Sequence, residues 1–97
     1  MSDALDIIHE TATGHGRYVA RMQSGEEAEM TYFIAAPGIR DFNHTYVPDA
    51  FRGTGIAAQL MDRAIADARS EGFRIIPTCS YVAAQFRRHP DWADLRA

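Results

Sequence analysis

The residues best placed to do chemistry lie between Val47 and Ala57, where the chain reads Val-Pro-Asp-Ala-Phe-Arg-Gly-Thr-Gly-Ile-Ala. Arg52-Gly53-Thr54-Gly55 follows a segment with strand character and opens one with helical spacing. A helix N-terminus carries unpaired backbone N–H groups and the positive end of the helix dipole. Glycines there remove the Cβ atoms that would hold a phosphate away from those groups. The segment therefore reads as a backbone cradle for a phosphorylated ligand. It lacks the Gly-Lys-Ser/Thr ending of a P-loop and the three-glycine spacing of a dinucleotide fingerprint, so ATP and NAD fit poorly. A glycine-rich turn that only starts a helix is the plainer reading of four residues. Their place between a strand and a long helix favours the cradle.

Cys79 is the one cysteine of the chain. A thiolate is a strong nucleophile, but an ordinary thiol, with a pKa of about 8.5, needs a base or a helix N-terminus beside it. Cys79 stands at the start of a predicted helix, and His44 on a neighbouring predicted strand is a candidate base. Both have plainer readings. A lone cysteine is most often a small buried residue, and His44 alternates with Phe42 and Tyr46 as any strand histidine would. His9 and His15 lie near the N-terminus, His89 lies in a helix-ending turn, and no carboxylates cluster at ligand spacing, so no metal site is expected.

These groups depend on the elements that carry them. Leu5-Asp6-Ile7-Ile8 suggests a short strand at 5–10, with a loop over Thr11 to Gly16. Arg17 to Met22 alternates as a half-buried strand does, with Tyr18, Ala20 and Met22 on one side. Beyond a turn at Gln23 to Glu26, the alternation returns at Ala28, Met30, Tyr32 and Ile34, completing a hairpin. Pro37-Gly38 breaks that strand, and Ile39 to Val47 forms another, closed by Pro48. From Gly55 the period is helical, with Ile56, Leu60, Met61, Ala64, Ile65 and Ala68 on one face and Gly72 as the stop. Phe73 to Cys79 reads as a buried strand. A last helix, capped by Thr78 or Ser80, runs to about Arg88 and ends at His89-Pro90. Strand–helix–strand normally closes a right-handed parallel pair. The expected fold is α+β: a mixed sheet of antiparallel strands plus one parallel β-α-β pair, with about two helices.

Composition narrows the function. Ninety-seven residues allow a single domain spanning 1–97. A net charge of −3 removes the electrostatic case for nucleic-acid binding. No run of 18 apolar residues exists to span a membrane, and Met1 to Asp6 lacks the regions of a signal peptide, so a cytoplasmic location is expected. All ten basic residues are Arg, which leaves no lysine for Schiff-base chemistry.

The ordered motifs resemble the GNAT acetyltransferase superfamily, and within it the very small NATD1-like and YjdJ-like N-acetyltransferase domains. The resemblance rests on His44-Thr45-Tyr46-Val47, Pro48, Arg52-Gly53-Thr54-Gly55-Ile56-Ala57, Pro77-Thr78-Cys79 and Arg87-Arg88-His89-Pro90. It covers about residues 17–95. It implies a minimal GNAT-like sheet whose strands ending at Val47 and Cys79 splay apart. Acetyl-CoA would enter that gap, its pantetheine arm along Thr45, Tyr46 and Val47 and its pyrophosphate on the N–H groups of Arg52, Gly53, Thr54, Gly55, Ile56 and Ala57. The thioester would lie near Cys79, and the acceptor would be an amine of a small molecule or a protein.

Larger relatives carry Asn-x-x-Ala-x-x-x-Tyr on the last helix, the Tyr protonating the departing thiolate. The corresponding positions here are Ser80, Ala83 and Arg87, so that Tyr is absent, while Tyr81 stands on the first turn. The loss favours a two-step route through acetyl-Cys79, since exchange between thioesters is nearly isoenergetic. There is little chain for a substrate groove, so the acceptor site is open, completed by a protein partner, or absent. In the last case the chain is a non-catalytic CoA-binding sensor or regulatory module. A plain interaction domain, with Arg52 to Ala57 only a helix entrance, is the third alternative. Arg87 and Arg88 read as solvated helix charges or as contacts to nucleotide phosphates or an acidic partner. Phe51 and Trp92 read as packing residues.

Overall fold

The computed structural model describes residues 6–97, so the Leu5 end of the expected first strand lies outside the described residues. Five strands form one sheet in the order β1-β2-β3-β4-β5: Ile7–Ala12, His15–Arg21, Glu27–Ala36, Ile39–Tyr46 and Arg74–Ile76. The first four pair antiparallel, and β5 joins β4 in parallel after the crossover helix α1, Ile56–Glu71. Helix α2, Ser80–Arg88, follows. The chain is α+β with a mixed sheet, as the element order predicts. No helix among the described residues is long and apolar enough to cross a membrane.

One face of the sheet holds the core. Tyr18, Met30, Tyr32 and Phe42 project inward and meet Leu60, Met61 and Ala64 of α1 and Val82 and Phe86 of α2 in a single cluster. The helical spacing read from Ile56 to Ala68 is the buried face of α1. Gly72 ends that helix in a left-handed conformation, its N–H donating to Ala68 O at 2.9 Å. The other, more polar sheet face mixes ion pairs with the exposed side chains of Ile8, Phe33 and Tyr46. Arg17 pairs with Glu10 and Glu29, each at 2.7 Å, and Val19 is buried beside them in register with Ile8 and Glu29.

Several boundaries differ from the sequence reading. The loop expected over Thr11 to Gly16 is a tight hairpin, with Ala12 facing His15 across Thr13-Gly14. The strand expected over Phe73 to Cys79 pairs only at Arg74–Ile76. At Pro77 the chain turns sharply, and the Thr78 N–H bonds Ile76 O at 3.0 Å. Neither Thr78 nor Ser80 caps α2. Its N-cap is Cys79, without a side-chain hydrogen bond. Past α2, Trp92 stacks on His89 with ring centroids 3.9 Å apart, and Ala97 N–H donates to Ile75 O at 2.8 Å, covering the β5 edge.

A polar cluster ties the sheet to the second half of α1. Tyr18 donates to Asp67 at 2.9 Å, and Arg63 donates to Asp67 and to Ile7 O. His9 stacks on Tyr18 with centroids 4.3 Å apart, and its Nε2 lies 2.7 Å from Tyr32 Oη. Burial, followed by the nearby Arg40 guanidinium, lowers the His9 pKa below its ordinary 6.5, against the opposing pull of Asp67 and Glu71. Gly16 makes this packing possible, since a Cβ there would sit 2.5 Å from Tyr32 Oη and 2.8 Å from Glu10 O.

Two consequences are measurable. The unfolded chain protonates His9 near its ordinary pKa while the folded chain resists, so stability falls as pH drops from 6.5 through the lowered native value. His9→Phe is expected to flatten denaturation midpoints between about pH 7 and 5.5. An unchanged slope would show that His9 does not carry this dependence. Gly16→Ala is expected to lower stability by about 1–3 kcal/mol through overpacking, read from urea unfolding.

Candidate functional site

The parallel pairing of β4 with β5 ends at Asp41 and Ile76, and Cys79 N–H, donating to Phe42 O at 2.9 Å, is the next link. Beyond it, β4 continues to Tyr46 with no strand on that side among the described residues, while the chain after Pro77 turns into α2. The two segments therefore part. A cleft of about 790 Å³ opens there between the end of β4, the entrance of α1 and one face of α2.

The loop before α1 shapes the floor. A short 3-10 turn at Asp49–Phe51 follows Pro48, and Thr54 then donates both its N–H and its hydroxyl to Phe51 O. Gly53 and Gly55 take φ values of 80° and 86°, the left-handed region open chiefly to glycine. Nothing lies within 4 Å of a Cβ at either position, so the requirement is conformational and the space above is clear. Gly55 is the N-cap of α1 and offers no side chain to the helix end. The N–H groups of Gly53, Gly55, Ile56, Ala57 and Ala58 meet no protein acceptor among the described residues, and all five residues line the cleft. A row of unpaired donors at the positive end of a sixteen-residue helix is an anion site in physical terms.

Electrostatics point the same way. Among the described residues, the charged side chains lining the cleft are Arg52 and Arg88, and none is a carboxylate. Arg52 donates to Val47 O at 3.3 Å and pairs with Asp49 at 3.2 Å, which braces the loop against the strand end. Tyr81 is half-buried on the opposite wall. Burial, aided by Asp62, pushes its phenol pKa up, so it stays protonated at neutral pH.

The residues singled out from the sequence are sorted by this geometry. Thr45, Tyr46, Val47, Arg52, Gly53, Gly55, Ile56 and Ala57 all line the cleft. Thr54 does not, because both its donors are engaged inside the loop. Cys79 is partly buried behind the lining, with its Sγ 3.5 Å from Thr45 Oγ1. His44 is not brought to Cys79. It pairs in register with Thr31 and is exposed on the polar face, whereas Thr45, the next residue, sits in register with core Met30. Successive strand side chains point to opposite faces, so the spacing that puts Thr45 on Cys79 turns His44 away. Gln85 was missed. Its signal was the i, i+4, i+7 spacing of Tyr81, Gln85 and Arg88, offset from buried Val82 and Phe86. Among the described residues no group of three His, Cys, Asp or Glu is placed to hold a metal ion.

Comparison with known proteins agrees with this architecture. The bovine (Bos taurus) protein NATD1 is 35% identical over 65 residues, 67% of this chain and 58% of that protein. The chicken (Gallus gallus) and mouse (Mus musculus) proteins are each 34% identical over 65 residues, 67% of this chain and 59% of theirs. The match thus spans under two-thirds of the length of these relatives. An NMR structure of a GCN5-like protein from Staphylococcus aureus superposes with a TM-score of 0.74 at 21% identity, covering 99% of this chain and 91% of that one, which is a likeness of fold. The family model for the GCN5-related N-acetyl-transferases matches residues 17–95, nearly the whole chain. With its split parallel pair and its glycine-lined helix entrance, the chain belongs to the GCN5-related N-acetyltransferase family.

Proposed function

We propose that this chain binds acetyl-CoA in the cleft and transfers the acetyl group to an amine of a small molecule or a protein. The observation that carries the reading is the row of N–H groups at Gly53 and Gly55 to Ala58 that no acceptor among the described residues meets, on the floor of a cleft that none of those residues lines with a carboxylate. The diphosphate sits on these donors. The pantetheine arm runs along the unpaired end of β4 at Thr45 to Val47 as an added strand would, and the thioester reaches the Thr45–Cys79 end.

Two routes for the acetyl group differ in what Cys79 does. In the two-step route its thiolate attacks the thioester carbonyl, the bond to the CoA sulfur breaks, and the departing thiolate takes a proton. Tyr81, held protonated on the cleft wall, is the donor. The neutral amine then attacks acetyl-Cys79, the bond to Sγ breaks and Cys79 leaves as the thiolate, and the proton lost by the amine nitrogen returns Tyr81 to its phenol form through solvent. As N-cap of α2, Cys79 stands at the positive end of that helix dipole. In the direct route the amine attacks acetyl-CoA itself and Cys79 only packs. The second reading, a CoA-binding module without catalysis, is favoured by one observation: Thr45 is the one side chain hydrogen-bonded to Cys79 Sγ among the described residues, so no base adjoins the thiol.

Calorimetry should show saturable acetyl-CoA binding that Gly55→Val weakens at least about ten-fold, since a β-branched residue resists φ near 86° and crowds the anion. Equal affinity in the variant, with its circular dichroism unchanged, would remove the loop from the site. Incubation with acetyl-CoA should leave one acetyl group on Cys79 by intact mass, and Cys79→Ala should abolish turnover while keeping CoA affinity. A Cys79→Ala protein that still turns over would establish the direct route. Binding without turnover in the unmodified chain, across a panel of amines, would establish the sensor.

A further inference from the structure

The face that α2 presents to the cleft carries Tyr81, Gln85 and Arg88 at i, i+4 and i+7, one stripe along the helix. Arg87, its neighbour in sequence, does not line the cleft. Six of the ten arginines, Arg17, Arg21, Arg40, Arg52, Arg63 and Arg69, hold a carboxylate within ion-pair distance. Arg88 holds none among the described residues and donates no side-chain hydrogen bond there, yet it lines the cleft. Burial and then Asp62 raise the Tyr81 phenol pKa, and the positive charge of Arg88 opposes them. A free planar guanidinium facing a carboxylate-free cleft is a ready partner for a phosphate.

Position along α2 says which phosphate. Ser80 adjoins Cys79 and the thioester end, and Arg88 lies eight residues on, about 12 Å along the axis. The α1 entrance already supplies donors for the diphosphate. We propose that Arg88 holds the 3′-phosphate of the coenzyme's nucleotide, so that the cleft selects a 3′-phosphorylated ligand. This assignment rests on the acetyl-CoA reading above.

Titrating the protein, Arg88→Gln and Arg87→Gln with acetyl-CoA and with 3′-dephospho-acetyl-CoA tests it. The unmodified chain should prefer acetyl-CoA by about ten-fold, the size of one charge-assisted contact. Arg88→Gln should lose that preference by weakening acetyl-CoA alone, and Arg87→Gln should keep it. Equal weakening of both ligands by Arg88→Gln, no weakening, or no preference in the unmodified chain would overturn the assignment while leaving the coenzyme reading standing. Failure of the unmodified chain to bind either ligand would overturn the coenzyme reading and this assignment with it.

Discussion

Regular pairing between β4 and β5 stops at Ile76, where the chain turns at Pro77 and the Thr78 N–H bonds back to Ile76 O, and the geometry of the site follows from that stop. Had the ladder continued, Thr45 and Tyr46 would have gained a strand neighbour and the cleft would be filled with backbone. Instead the Cys79 N–H makes one last bond to Phe42 O, and α2 carries the chain away from the sheet. The end of β4 is left with one free edge beside the open N-terminus of α1. Two sets of unsatisfied backbone groups therefore face a common space, a costly arrangement in a dry interior and a useful one where a polar ligand enters.

Holding that opening requires firmness elsewhere. The inward face of the sheet, the buried face of α1 and the Val82–Phe86 side of α2 form one core. Far from the cleft, Tyr18, Arg63 and Asp67 fasten β1 and β2 to the later turns of α1. The first turn of α1 is consequently fixed in position while its own donors stay free. Arg52 and Asp49 brace the loop beneath it. Exposed ion pairs of this kind contribute little to global stability, about 0–1 kcal/mol each. They matter by limiting where the loop can go.

Periodicity made the strands, α1 and the stop at Gly72 legible, because each buries one face and so repeats its apolar residues at the period of its backbone. The glycine loop before α1 was legible for a different reason: glycines at 53 and 55 answer a backbone requirement, now seen as φ values of 80° and 86°. What stayed hidden depended on register. The Thr31/Tyr32 irregularity in the β3–β4 pairing and the alternation beyond it decide that Thr45, and not His44, meets Cys79. No local pattern shows which of two adjacent residues a neighbouring helix will touch. The short β5 was half visible, since the apolar run from Phe73 to Cys79 read as one strand through Pro77, where the chain in fact turns. Gln85 was hidden in a polar helix face, and Arg88 was left between solvated charge and phosphate contact, because solvated and ligand-facing residues look alike until the cleft is in place.

The central claim is that unpaired N–H groups at the α1 entrance bind the coenzyme diphosphate, and amide-resolved NMR during an acetyl-CoA titration addresses it directly. The account predicts the largest shifts at Gly53, Gly55, Ile56, Ala57 and Ala58, with a second group at Thr45 to Val47, saturating together. Shifts confined to the polar sheet face around Glu10, Arg17 and Thr31, or no shifts at millimolar ligand, would contradict it.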